Sequence, residues 1–308
     1  MKQLSPFSNS SPAAKFLWLI FFLILASIIF AFTGLLLGKL WLHTDLNGLS
    51  SLFSHPEKDQ YRSFLYVYQL INQIGIFILT PLIFARLVDQ KSMTYLKLDR
   101  WPTLLTILMG ISMVYTLLPF INWLTEVNTN LRLPESLSNL EQWMKTKENQ
   151  ADTITKVFLS VRSLKGLGLN LVVMALIPAI GEELLFRGLI QRLLAEWTKN
   201  KHWGVWLAAM LFSGMHMQFY GFFPRMFLGL MLGYLFVYTK SLWLPMMVHF
   251  INNASSVVIY YLNYNGIIDQ KMENFGASSQ IGVIALSFII SILLLWIVQQ
   301  TASKKAAS

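Results

Sequence analysis

Long runs without a charged residue dominate this chain. No Asp, Glu, Lys or Arg occurs within 16–38, 63–85, 101–125, 166–181, 203–224, 226–239, 241–268 or 274–303, and these eight windows cover well over half of the 308 residues. A bilayer core of about 30 Å takes roughly 20 apolar helical residues, and all but two windows reach that length unaided. Window 166–181 stops at Glu182-Glu183, but the apolar rhythm resumes at Leu184, Leu185, Leu189, Ile190, Leu193 and Leu194. The helix is therefore expected to continue and to carry carboxylates inside a span. Window 226–239 spans if Lys240 snorkels and neighbouring helices shield it. The pattern predicts an all-α polytopic membrane protein with eight transmembrane helices in a single domain over 16–300. A flexible tail is expected at 1–15 and a second tail at 301–308. The first window is too long for the apolar region of a signal peptide, and no small-residue cleavage site follows it, so it reads as a retained span.

Between the third and fourth spans, Leu137, Leu140, Trp143 and Met144 share one helical face. Ile154, Val157, Phe158 and Val161 share another at i, i+3, i+4, i+7. Amphipathic interfacial helices are expected there, as a brace at the membrane surface or as a lid.

Composition removes the alternatives. Hydrophobic residues make up 55% and charged residues 13%, and mean hydropathy is +0.53. A water-soluble fold of this length could not hide that much apolar surface with so few charges. An ordinary soluble enzyme, a disordered chain and a nucleic-acid-binding domain are all excluded. The net charge of +9 fits loops facing anionic lipid, because the basic residues are scattered between apolar runs and form no stripe. The N-terminal tail and the loops around 86–100, 184–202, 240 and 304–305 hold most of the Lys and Arg. Both termini are accordingly expected in the cytoplasm, and the short chain without extra domains is expected to sit in a bacterial plasma membrane. Cysteine is absent, which rules out disulfides, thiolate-bound zinc and thiol catalysis.

Ionisable groups inside a span carry the chemistry, since a charge at a helix centre costs ~2.5–3.5 kcal/mol unless it finds water or a partner. Three clusters qualify. In Gly181-Glu182-Glu183-Leu184-Leu185-Phe186-Arg187-Gly188, Glu183 and Arg187 stand one turn apart and are placed to pair, while Glu182 points elsewhere. Phe212-Ser213-Gly214-Met215-His216 puts an imidazole deep in the fifth span. In Pro245-Met246-Met247-Val248-His249-Phe250-Ile251-Asn252-Asn253, His249 and Asn253 share a face of the seventh span, and Pro245 is expected to bend the helix before them. Taken singly, each has a plain structural reading: a salt bridge at a helix end, an interhelical histidine, polar packing. Together they agree in depth. At 1.5 Å per residue, His216 lies about 19 Å and His249 about 12 Å from the cytoplasmic helix ends, and Glu182 about 18 Å. Carboxylates, imidazoles and an amide at one level make a water-activating site, with hydrogen bonds available to an oxyanion.

These motifs resemble those of the CPBP family, the CAAX-protease and bacteriocin-processing (Abi) group of intramembrane proteases. The family pattern is EExxxR, then FxxxH, then HxxxN or HxxxD, and the chain matches each in order over roughly 166–262. The resemblance implies a peptide-bond hydrolase in which Glu182 activates water, His216 helps to hold it, and His249 and Asn253 form the oxyanion hole. Glu183 and Arg187 would orient the site. Such proteases have been described both as metal-dependent and as metal-free. A zinc ion, if present, would fall to Glu182, His216 and His249.

Other polar residues read as structural. His43 and His55 lie in or near the first outer loop and His202 in a cytoplasmic turn. Gln69, Asn72 and Gln73 share one face of the second span, where interhelical hydrogen bonding is expected ahead of a substrate groove. Gly34-xxx-Gly38 and Gly229-xxx-Gly233 match the pattern of closely packed helices. The leading expectation is an endopeptidase acting on a hydrophobic or membrane-associated peptide. The alternatives are a non-catalytic peptide-binding immunity or scaffold protein, and a small transporter using the carboxylates as proton relays.

Overall fold

A computed structural model describes residues 5–43, 59–269 and 274–307, and all regular structure among them is helical. Helix α1 (Pro12–Leu42) starts on a Ser11 cap whose hydroxyl accepts from the Ala14 N–H. Helix α2 runs without interruption through Asp59–Asn72, Gln73–Leu79 and Thr80–Val88. The short α3 (Ser92–Tyr95) leads to α4 (Leu104–Thr116) and α5 (Leu118–Asn130). Helix α6 spans Ser138–Leu159 and the long α7 Leu164–Thr198. Helices α8 (Lys201–Met215), α9 (Phe222–Thr239), α10 (Trp243–Tyr264) and α11 (Ile281–Ala307) complete the chain. His55 lies outside the described residues.

Every charge-free window falls largely in helix, but fewer than eight of the described helices have both the length and the apolarity of a membrane span. Among the described residues five helices are long and apolar enough to cross a membrane: α1, α2, α7, α9 with its preceding turn, and α11. Counting α4 and α5 as one broken span makes six. These two meet at Leu117 with a 44° bend, and Pro119 opens the second half, where its missing N–H costs no helical bond. Helix α8 is shorter than expected, at 15 residues, or about 22 Å. Helix α10 has the length, but His249, Asn252, Asn253, Ser255 and Ser256 dilute its hydropathy. The chain is an integral membrane protein by the number and apolarity of its helices.

Helix α7 is the centre of the molecule. Its most apolar stretch is 61% buried, against 17% for α1 and 22% for α11, which form the rim. Leu184, Leu185, Phe186, Leu189, Ile190, Leu193 and Leu194 pack against Leu19, Phe84, Ala85, Ala208, Phe212 and Met246 from neighbouring helices. Three stretches widen into π-helical turns: Gln73–Leu79, Leu171–Leu176 and Leu184–Ile190. The first two stop just before Pro81 and Pro178. Proline lacks the N–H for an i−4 bond and its ring crowds that carbonyl, so the preceding turn opens.

Several local expectations are corrected. Residues 5–11, within the expected flexible tail, fold back on α2: the Phe7 N–H donates to Leu87 O (3.0 Å) and its ring stacks on Trp18. At the other end α11 continues through most of 301–308. Pro245 does not bend α10. It is the third residue of that helix, in a first turn whose N–H groups have no helical acceptor anyway. The two amphipathic stretches between 126 and 165 merge into α6, joined to the core where Val157 and Phe158 pack on Leu65, Tyr66 and Val173.

Gly34, Gly229 and Gly233 stand at close helix approaches. A Cβ on Gly34 would come within 2.6 Å of the Tyr68 ring, and one on Gly233 within 2.8 Å of Gln191 Oε1 and 2.9 Å of Val205. The bare backbone of α9 also exposes two carbonyls one turn apart to α7. Arg187 Nη2 donates to Gly229 O and Gln191 Nε2 to Gly233 O, each at 3.1 Å.

Candidate active site

Glu182 and Glu183 close the α-helical turn before the second π-helical stretch of α7, and Arg187 sits inside that stretch. Glu183 is fully buried and Arg187 is 1% exposed. Arg187 Nη1 donates to Glu183 Oε1 at 2.8 Å, the one-turn pairing that the spacing predicts. The same carboxylate oxygen accepts from His249 Nδ1 on α10, also at 2.8 Å. With Nδ1 committed to Glu183, the Nε2 of His249 turns toward Glu182, 3.8 Å from its Oε2. Sequence spacing offers no hint that His249 pairs with Glu183.

His216 ends α8 rather than lying deep within a longer helix. Its Nδ1 donates to Phe212 O in the last turn (2.8 Å), so the tautomer leaves Nε2 as a lone pair. The turn that follows is held from several sides. Met217 takes a left-handed φ of 54°. Asn128 of α5 donates to Phe219 O and accepts from the Phe223 N–H. Glu148 of α6 accepts from the Tyr220 N–H at 3.2 Å. Burial pushes the Glu148 carboxyl above its ordinary pKa, against the pull of that N–H and of Arg225. Phe212 ties the motifs together: its ring packs edge-on to His216 and His249, and the Arg187 guanidinium lies 4.8 Å from its centre.

Glu182, His216, His249 and Asn253 line one cavity of about 330 Å³, together with Gln69, Gln73, Arg225, Asn252 and residues of α6 and α7. Glu183 and Arg187 stand behind it. Asn252 Nδ2 donates to Asn253 Oδ1 (3.2 Å), which leaves the Asn253 amide N–H groups for the cavity. Gln69 and Gln73 face the same space instead of bonding a neighbouring helix, and Asn72 donates back to Tyr68 O in its own helix. His202 bonds the Tyr234 hydroxyl at an exposed turn, and His43 caps the end of α1. Among the described residues no group of three or more His, Asp or Glu side chains is placed to hold a metal ion, so Glu182, His216 and His249 would have to rearrange to ligate one.

Arg225, which lies outside the three motif clusters, also lines the cavity. Arg225 is the lone charge between the apolar windows 203–224 and 226–239 and reads in sequence as a loop residue. The turn comes earlier, at 216–221, and places Arg225 within the first turn of α9.

A helical membrane protein with paired carboxylates and imidazoles around one shared cavity is the class that the fold and site define. The Rce1-like family model, described as Type II CAAX prenyl endopeptidase Rce1-like, matches residues 165–255, the segment that holds all three motifs. The resemblance to the CAAX proteases thus holds over that segment. The chain is 30% identical over 105 residues to "Uncharacterized protein YpbD" of Bacillus subtilis (strain 168), a stretch that makes up 33% of this chain and about half, 49%, of that relative. No solved structure matches the chain.

Proposed function

We propose that this protein is an intramembrane endopeptidase that hydrolyses a peptide bond in a hydrophobic or membrane-associated peptide. One observation carries the reading: Glu182 and His249 Nε2 lie 3.8 Å apart on the wall of one cavity, while Glu183 and Arg187 fix the far side of the imidazole. In the proposed reaction Glu182 takes a proton from a water molecule as its oxygen attacks the scissile carbonyl. The lone pair on His216 Nε2 accepts the other O–H of that water and orients it. The carbonyl oxygen becomes an oxyanion, stabilised by the Asn253 amide and by His249 Nε2–H. Glu182 then delivers its proton to the departing amine.

For His249 to donate from Nε2 while Nδ1–H serves Glu183, the ring must be an imidazolium. The Glu183 carboxylate at Nδ1 and the Glu182 carboxylate near Nε2 are the acceptors on its two sides. Arg187 and Glu183 therefore act as positioning residues for His249. The cytoplasmic placement of both termini belongs to the same proposal. It rests on the distribution of Lys and Arg and lets a peptide enter from the cytoplasm or from the bilayer.

The test is purified full-length protein with a panel of hydrophobic peptides. Wild type is expected to cleave at least one, with Glu182→Gln and His249→Ala slower by about 100-fold or more, in keeping with the usual worth of a general base or an oxyanion donor. Wild-type rates in both variants would sink the assignment.

A further inference from the structure

Arg225 is a charged group that this mechanism leaves unused. Its Nη1 donates to Gln218 O (3.3 Å) and its Nη2 to Gln218 Oε1 (2.9 Å), and Gln218 Nε2 reaches Asp152 Oδ1 of α6 at 3.4 Å. Among the described residues no carboxylate lies within 4.0 Å of it, in contrast to Arg187, whose partner Glu183 is at 2.8 Å. A guanidinium has five N–H donors in a planar fork suited to a carboxylate, and Gln218 engages two. The remaining donors sit in a wall that also carries Glu182 and His249.

That wall has two sides. A second cavity, of about 350 Å³, lies at the elbow between α4 and α5 and shares Arg225, Leu228, Asn252 and Ser256 with the first. Its remaining surface is mainly apolar, with Val114, Ile121, Met231 and Phe275 among the lining residues. A cation held by amide groups between a reacting centre and an apolar chamber is placed to read a peptide next to its scissile bond. It also offsets the repulsion that Glu182 would exert on an incoming anion.

We infer that Arg225 receives a carboxylate of the peptide substrate while an apolar side chain of that peptide enters the elbow cavity. The inference rests on the endopeptidase reading, and names the substrate feature recognised near the cleavage site. Two peptide groups supply that chemistry, the C-terminal carboxylate and an Asp or Glu side chain.

Binding to full-length Glu182→Gln protein in detergent, measured by fluorescence anisotropy, tests the inference without turnover. Three versions of one hydrophobic peptide are compared: free acid, C-terminal amide, and amide with a Glu near its end. At least one carboxylate-bearing version is expected to bind tenfold or more tightly than the plain amide, and the two arms separate the sources. Adding Arg225→Gln should bring that ratio to within about twofold of one, and Arg225→Lys, which keeps the charge without the fork, should retain part of it. Equal binding of all three versions overturns the inference. So does an Arg225→Gln variant that weakens acid and amide alike, since a residue that merely braces the 216–221 turn would not discriminate between them. A carboxylate preference in a protein that cleaves none of these peptides would leave the Arg225 site standing and remove the hydrolase reading.

Discussion

Replacing Arg187 exposes what the buried charge cluster is worth. Arg187 is 1% exposed and Glu183 fully buried, and they meet at 2.8 Å. Removing one partner of such a pair costs about 3–5 kcal/mol because the survivor stays buried and unpaired. Every 1.4 kcal/mol is tenfold in equilibrium, so even the lower figure of about 3 kcal/mol lowers the folding constant by roughly 100-fold or more. Replacing both partners, as Glu183→Gln with Arg187→Met, removes the charges together and is expected to recover most of that loss. Folding is read from reversible unfolding in mixed detergent micelles, followed by tryptophan fluorescence. Catalysis should not recover in the double variant, because a neutral amide in place of the Glu183 carboxylate can accept from His249 Nδ1–H but cannot stabilise the imidazolium. If Arg187→Ala proves as stable as the double variant, or if the double variant hydrolyses peptides at the wild-type rate, the charge argument fails.

Other consequences are open to measurement. Gly233→Ala should destabilise by about 1–3 kcal/mol through overpacking, as its Cβ would lie 2.8 Å from Gln191 Oε1. Gly214→Ala has open space around its Cβ and should be neutral or gain up to about 1 kcal/mol in helix propensity, by the same unfolding assay. Tyr66→Phe removes a hydroxyl that donates to Asn170 Oδ1 (2.6 Å), with Phe158 O 3.1 Å away, so α6 should become cleavable by added protease at lower doses than in wild type. Glu148 holds its proton more tightly when folded than when unfolded. Its contribution to stability is therefore largest below the ordinary carboxylate pKa and falls as pH rises toward the raised folded value. Thermal melting from about pH 4 to about pH 8 should show that fall in wild type relative to Glu148→Gln, and parallel curves would refute it.

The parts of the site that were readable in the sequence are the local ones. The pairing of Glu183 with Arg187 follows from one helical turn, and the polar face holding His249 and Asn253 follows from the same periodicity. Expectations that required the path of the chain fared worse. The fifth charge-free window looks like a full span, yet α8 ends at His216, where the imidazole bonds its own helix and Asn128 and Glu148 hold the turn from other helices. Pro245 looks like a kink, but only the position of the helix start decides whether a proline costs a hydrogen bond.

Sequence alone determined that this is a helical membrane protein with acids and imidazoles within its apolar stretches, because hydropathy and i, i+4 spacing are properties of neighbouring residues. Tertiary structure decided which nitrogen of His249 meets Glu183, that Glu182 lies across from the other, and that Arg225 enters the wall between two cavities. Those relations join residues 43 to 67 positions apart, and only the packing of α8, α9 and α10 around α7 sets them.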